Sequence, residues 1–145
     1  MTDWTPEGVE DRLIEAASVL KRLPAERING YYSLWPKAIY EFADLVGQEP
    51  RPMRRPPPQA AAISRMEQSL TWIRFLEVED GKLVWARAAG ARWKAICWRF
   101  GIAPATAKRR WTYALSLITW KLNGRRVGTK TSRRAFMERV RVLSR

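Results

Sequence analysis

The sequence predicts an all-α fold. Apolar residues recur at intervals of three and four along every long segment, no stretch alternates convincingly at a period of two, and residues that start or stop helices bracket the periodic runs. Five of the nine prolines fall between Pro50 and Pro58, which divides the chain unequally.

Taken in order, Thr5, Pro6 and Glu7 supply a capping hydroxyl, a first-turn proline and a first-turn acid. Val9, Leu13, Ala16, Leu20 and Leu23 follow at helical spacing until Pro24. After a turn through Asn29 and Gly30, Ser33 and Pro36 open a second helix carried by Trp35, Ile39, Phe42 and Val46, with Gly47 as its stop. Residues 1–47 thus read as a helical pair suited to contacts with another protein or to self-dimerisation. In residues 48–58, prolines interleave with Arg51, Arg54 and Arg55, the composition of an extended, polyproline-like linker and a domain boundary.

Residues 59–124 form the second unit. One helix is expected from Gln59 to Glu77 on Ile63, Met66, Leu70, Ile73 and Leu76, and a shorter one starts at Glu79 and Asp80, carries Leu83, Val84 and Ala88, and closes at Gly90. The next runs from about Arg92 to Phe100 and stops at Gly101. Pro104 opens the longest, which reaches Leu122 before Asn123 and Gly124. The tail, residues 125–145, holds eight basic residues and one acid, Glu138. It is either a short helix lined by Phe136, Val140 and Leu143 or a segment that stays disordered until it meets a partner.

Composition narrows the chemistry. With no histidine and one cysteine, Cys97, the chain cannot build a His-based general base, a His metal site, an intramolecular disulfide or a thiolate cage. No apolar run is long enough for a membrane span and no secretion signal stands at the start, so the expectation is a cytoplasmic protein without metal or cofactor. Glu77, Glu79 and Asp80 are explained as first-turn partners of a helix dipole. Gly81, Gly90 and Gly101 fit helix starts and stops, with no phosphate-binding glycine loop. Cys97 reads as a small packing residue, and no enzymatic activity is expected.

What remains is a basic chain with 16 aromatic residues, eight of them Trp, and a formal charge of +13. Residues 1–50 carry 5 basic and 9 acidic side chains, and residues 51–145 carry 22 and 5. No Asp or Glu occurs from Gly81 through Met137, where 14 Lys or Arg stand. A localised surplus of this kind points to a polyanion, with nucleic acid the leading candidate.

The segment from Ile96 to Ala107 has the form of a helix-turn-helix: small Cys97 lets the helices approach, Gly101 takes a left-handed turn, and Ile102 plugs the angle. With Leu83-Val84, Arg87, Gly90, Trp93-Lys94 and Ile96 before it and Trp111 and Ala114-Leu115 after it, residues 66–122 resemble the promoter-reading C-terminal region of sigma factors and related phage regulators. Ala103 departs from the capping Ser common in such domains. Through Tyr31 to Pro36, Trp93 to Gly101 and Trp120 to Gly124, the chain is also similar to a small uncharacterised family associated with phage and alphaproteobacterial genomes.

The resemblance implies sequence-specific binding of double-stranded DNA by a phage or prophage-type transcriptional regulator. On a helical wheel, Ala107, Trp111, Ala114, Leu115, Ile118 and Leu122 form the packing stripe of the long helix. Ala105, Lys108, Arg109, Thr112 and Ser116 fall on a polar arc, of which Ala105, Lys108, Arg109 and Thr112 are the expected base readers. Arg92, Lys94, Arg99, Thr106, Arg125 and Arg126 are the expected phosphate contacts, Arg99 being a weaker one, as is Arg110. Tyr113, Leu117 and Trp120 form a third, apolar arc that needs cover from the N-terminal helices, the tail or a second subunit. The Trp residues are expected to be mostly core, with Trp85 or Trp98 the candidate for stacking on something else. Two other functions fit the same pattern: a phage DNA-packaging subunit resembling a small terminase, and an adaptor that binds RNA polymerase.

Overall fold

The computed structural model describes residues 3–24 and 55–144. The helix expected over Ser33–Val46, its stop at Gly47 and the linker up to Arg54 lie outside the described residues. Those described form six α-helices and no strand: α1 (Pro6–Arg22), α2 (Ala60–Trp72), α3 (Val78–Ala88), α4 (Trp93–Phe100), α5 (Pro104–Leu122) and α6 (Arg133–Leu143). The all-α expectation holds, and none of these helices is long and apolar enough to cross a membrane.

α1 begins as its sequence demands, with the Thr5 hydroxyl accepting from the Gly8 N–H at 3.1 Å and Pro6 in the first turn. Most of its stripe is used within the chain, although Leu20 is 43% exposed and Val19 is buried in its place. Val9 and Leu13 share one cluster with Trp72 of α2, Val84 of α3, and Ala114, Leu115 and Ile118 of α5, while Ala16 and Val19 pack with Met66 of α2. The sequence sets a boundary at the linker, but α1 is built into the same core as residues 59–124.

Polar ties reinforce this. Arg65 of α2 grips Glu15 of α1 through Nη2 at 2.6 Å, and this hydrogen bond holds the Glu15 carboxyl below the usual carboxylate range. Lys21 Nζ donates to the Ala89 carbonyl at 2.8 Å. At the other end of α1, the Trp4 N–H donates to Asn123 Oδ1 at 2.7 Å, and Asn123 Nδ2 donates back to the Trp4 carbonyl at 3.0 Å.

The single helix expected over Gln59–Glu77 is broken. α2 ends at Trp72, a 3-10 turn covers Ile73–Phe75, and Leu76 and Glu77 are extended before α3. Gly81 lies in the first turn of α3, at a helix start as expected. A Cβ there would stand 3.1 Å from Ile73 Cγ2, so its missing side chain lets the 3-10 turn seat against α3.

The tail is ordered. The Ser132 side chain accepts from the Ala135 N–H to start α6, and Phe136, 2% exposed, meets Tyr113 and Trp120 edge-on at centroid distances of 5.6 and 5.4 Å. The third arc of α5 is therefore covered by this chain's own tail.

Asp80 is not merely a dipole partner. It is 2% exposed, and Arg133 of α6 reaches it with Nη2 2.8 Å from Oδ2 and binds Glu77 at 2.9 Å. The Arg133 guanidinium also lies over the Tyr113 ring at 4.8 Å, and burial pushes that phenol's pKa upward.

Candidate nucleic-acid interface

The site is built on the turn between α4 and α5. Gly101 adopts φ 62°, ψ 35°, a left-handed conformation that costs glycine nothing and would strain any residue with a Cβ. The N–H groups of Gly101 and Ile102 both donate to the Cys97 carbonyl, closing α4. Leu83 of α3, Ile96 of α4 and Ala107 of α5 form the buried centre of this corner, with Cys97, Phe100, Ile102 and Trp111 packed around it. Cys97 is half-buried in the packing role expected of it.

α5 then divides along its length. Ala107, Ala114, Leu115 and Ile118 are buried, and Trp111 and Leu122 partly so, as the wheel requires. Ala105, Lys108, Arg109 and Thr112 are exposed. The polar arc stops there, because Ser116 is only 5% exposed. Its neighbours three before and four after, Tyr113 and Trp120, are the two rings that Phe136 closes upon.

Thr112 donates its hydroxyl proton to the Lys108 carbonyl at 2.9 Å, leaving lone pairs and a methyl to face outward. It therefore presents an acceptor, suited to an amino group on a base edge and unsuited to a phosphate. Arg109 Nε lies 3.4 Å from the Ala105 carbonyl, a long contact that leaves the rest of the guanidinium free.

The expected phosphate set falls into two groups. Arg92 is the exposed N-cap residue of α4, Lys94 is exposed in its first turn, Arg99 is exposed near its end, and Thr106 and Arg110 are half-buried near the start of α5. Arg125 and Arg126 are exposed beyond the opposite end of α5. At 1.5 Å per residue, the end of α5 at Leu122 lies roughly 20 Å along the axis from Lys108 and Arg109. Arg125 lies over the Trp120 ring at 5.1 Å, and the Arg126 carbonyl accepts from Trp120 Nε1 at 3.3 Å, so both belong to the α5–α6 connection.

Among the described residues, the ion pairs engage Arg12, Arg65, Lys82 and Arg133 and leave out Arg92, Lys94, Arg99, Lys108 and Arg109. Arg87 is spent internally, over the Trp93 ring at 4.8 Å and donating to the Ala91 carbonyl at 3.0 Å. No group of metal-ligating side chains is present among the described residues. Sequence reasoning missed Arg133 and the buried Asp80. The available signal was Ser132 followed by apolar residues at helical spacing, opposite the one acidic cluster that precedes the acid-free stretch.

The fold and site together define a small helical protein with a cationic corner, outside the ion pairs of the described residues, at the start of the longest helix described. The chain belongs to a family described as a domain of unknown function (DUF6362), whose match covers residues 21–118 and so takes in α2 to α5, apart from the last four residues of α5. No curated protein and no solved structure matches it.

Proposed function

We propose that this chain binds double-stranded DNA sequence-specifically, as a non-enzymatic transcriptional regulator of phage or prophage type acting in the cytoplasm. The observation that carries the reading is the first half of α5. Ala105, Lys108, Arg109 and Thr112 form one exposed arc beside Arg92 and Lys94, in a stretch without a single acid from Gly81 to Met137. The resemblance to promoter-reading domains over residues 66–122 supports the same assignment. So does the corner geometry, in which Gly101 is left-handed and Ile102 packs with Ile96 and Ala107.

In this reading α5 enters a major groove, Lys108 and Arg109 donate to guanine O6 and N7, Thr112 accepts from a base amino group, and the Ala105 methyl meets thymine. Arg92 and Lys94 neutralise phosphates, which ties affinity to salt.

The test is a titration of the full chain against genomic fragments selected by binding, repeated across salt concentrations. Lys108→Ala with Arg109→Ala should cost about 1–3 kcal/mol for each of the two base-reading side chains and relax specificity at those positions. Arg92→Ala should weaken all sequences alike and reduce the salt slope by about 1. Duplex affinity that is absent at low salt, or that is unchanged in the double variant, would overturn the proposal.

A further inference from the structure

We infer that the outer face of α4, centred on Trp98, is a stacking platform for unpaired nucleotides beside the duplex-reading helix. The inference rests on the nucleic-acid reading above and assigns a second mode of contact to the same corner.

Trp98 is 90% exposed. The other described tryptophans have internal work: Trp4 with Trp72, Trp93 with Trp111 and Trp120 with Phe136 make edge-on pairs, and Trp85 packs beside Ala16, Val19 and Met66. Among the described residues, none makes such use of the Trp98 indole. Ile96 points into the core, and two residues later the helix has turned about 200°, so Trp98 sits on the far side of α4. Ala95 beside it is small and exposed, leaving the ring faces clear.

Charge selects the occupant. Lys94, one turn before Trp98, and Arg99, directly after it, are exposed and outside the ion pairs of the described residues. Among the described residues, the one carboxylate in the groove that Arg99 lines with Trp85 and Phe100 is Glu79, already held by Lys82 at 3.1 Å. An aromatic face flanked by exposed cations fits a ligand with flat rings on an anionic backbone. Lys94 also belongs to the proposed phosphate set, so one polyanion can run continuously from α5 to this face. In an intact duplex, base faces are covered by their neighbours. A stacking ring finds a partner only where bases are unpaired, at a single strand, a flipped base or an end.

The experiment measures fluorescence anisotropy of two labelled probes, a thymidine single strand of about 20 nucleotides and a mixed-sequence duplex, with the full chain at low salt. Trp98→Ala should weaken single-strand binding about tenfold or more and duplex binding less than about threefold. Trp98→Phe, which keeps a ring, should stay within about threefold of the parent on both probes. Circular dichroism should be unchanged, since the side chain stands outside the core. Wild-type chain that fails to bind the single strand, or Trp98→Ala that binds it as tightly as the parent, overturns the inference. Polyglutamate that displaces the strand equally well from parent and Trp98→Ala also overturns it, by assigning the face to charge alone. Failure of the duplex reading is scored separately, by Lys108→Ala with Arg109→Ala on the duplex probe.

Discussion

Replacing Arg133 with alanine should loosen the whole C-terminal third of the molecule, because it strands a buried charge. The Asp80 carboxylate is 2% exposed and its close cation is Arg133, 2.8 Å away. Deleting one partner of a buried pair costs about 3–5 kcal/mol. Arg133 is itself 41% exposed, so water can reach the carboxylate once the guanidinium has gone, and the expected loss falls to about 2–3 kcal/mol. For a chain of this size that is a drop in Tm of roughly 6–9 °C, at about 3 °C per kcal/mol. Thermal melts followed by far-UV circular dichroism read the loss directly, and amide exchange in α6 should rise first, since Arg133 is its first residue. Asp80→Asn in the Arg133→Ala background should recover about half, because a neutral amide is cheaper to bury than a carboxylate. A single variant that melts within about 2 °C of the parent, or a double variant that melts no higher than Arg133→Ala, would refute the reasoning.

Two further outcomes are expected. Ala103→Ser should raise Tm by a few degrees, since Ala103 caps α5 in extended geometry without a side-chain bond and a capping hydroxyl is worth about 1 kcal/mol; an unchanged melt would mean the hydroxyl cannot reach the first-turn amides. The lowered Glu15 pKa makes the α1–α2 tie fully effective above the ordinary glutamate range and removes it as pH falls through the depressed value. Arg65→Gln should flatten that acid-side loss in a pH series of melts, and an identical pH profile would discount the tie.

The elements legible in the sequence were those whose signals are local. Thr5 with Pro6 announces α1, and the stripe from Ala107 to Leu122 repeats often enough to orient α5. The break at Ile73 was not legible, because Ile73 and Leu76 continue the spacing of Met66 and Leu70, and the turn is accommodated by space left at Gly81. Pairing of Asp80 with Arg133 joins residues 53 positions apart, which no local pattern encodes. At the candidate site, the identity of the cations could be read directly, since an acid-free stretch needs no structure to be seen. The extent of the arc could not, because a wheel drawn for one helix does not know that Phe136 closes over Tyr113 and Trp120, on either side of Ser116.

The hook between Trp4 and Asn123 also sets a clock. Its two halves are 119 residues apart, so during synthesis at roughly 5–20 residues per second α1 waits about 6–24 s for its last partner to be made. Its first partner, α2, arrives much earlier, and Met66 can cover Ala16 and Val19 in the interval. Until α3 brings Val84 and the Ala89 carbonyl, the α1–α2 pair has Arg65 on Glu15 as its polar tie.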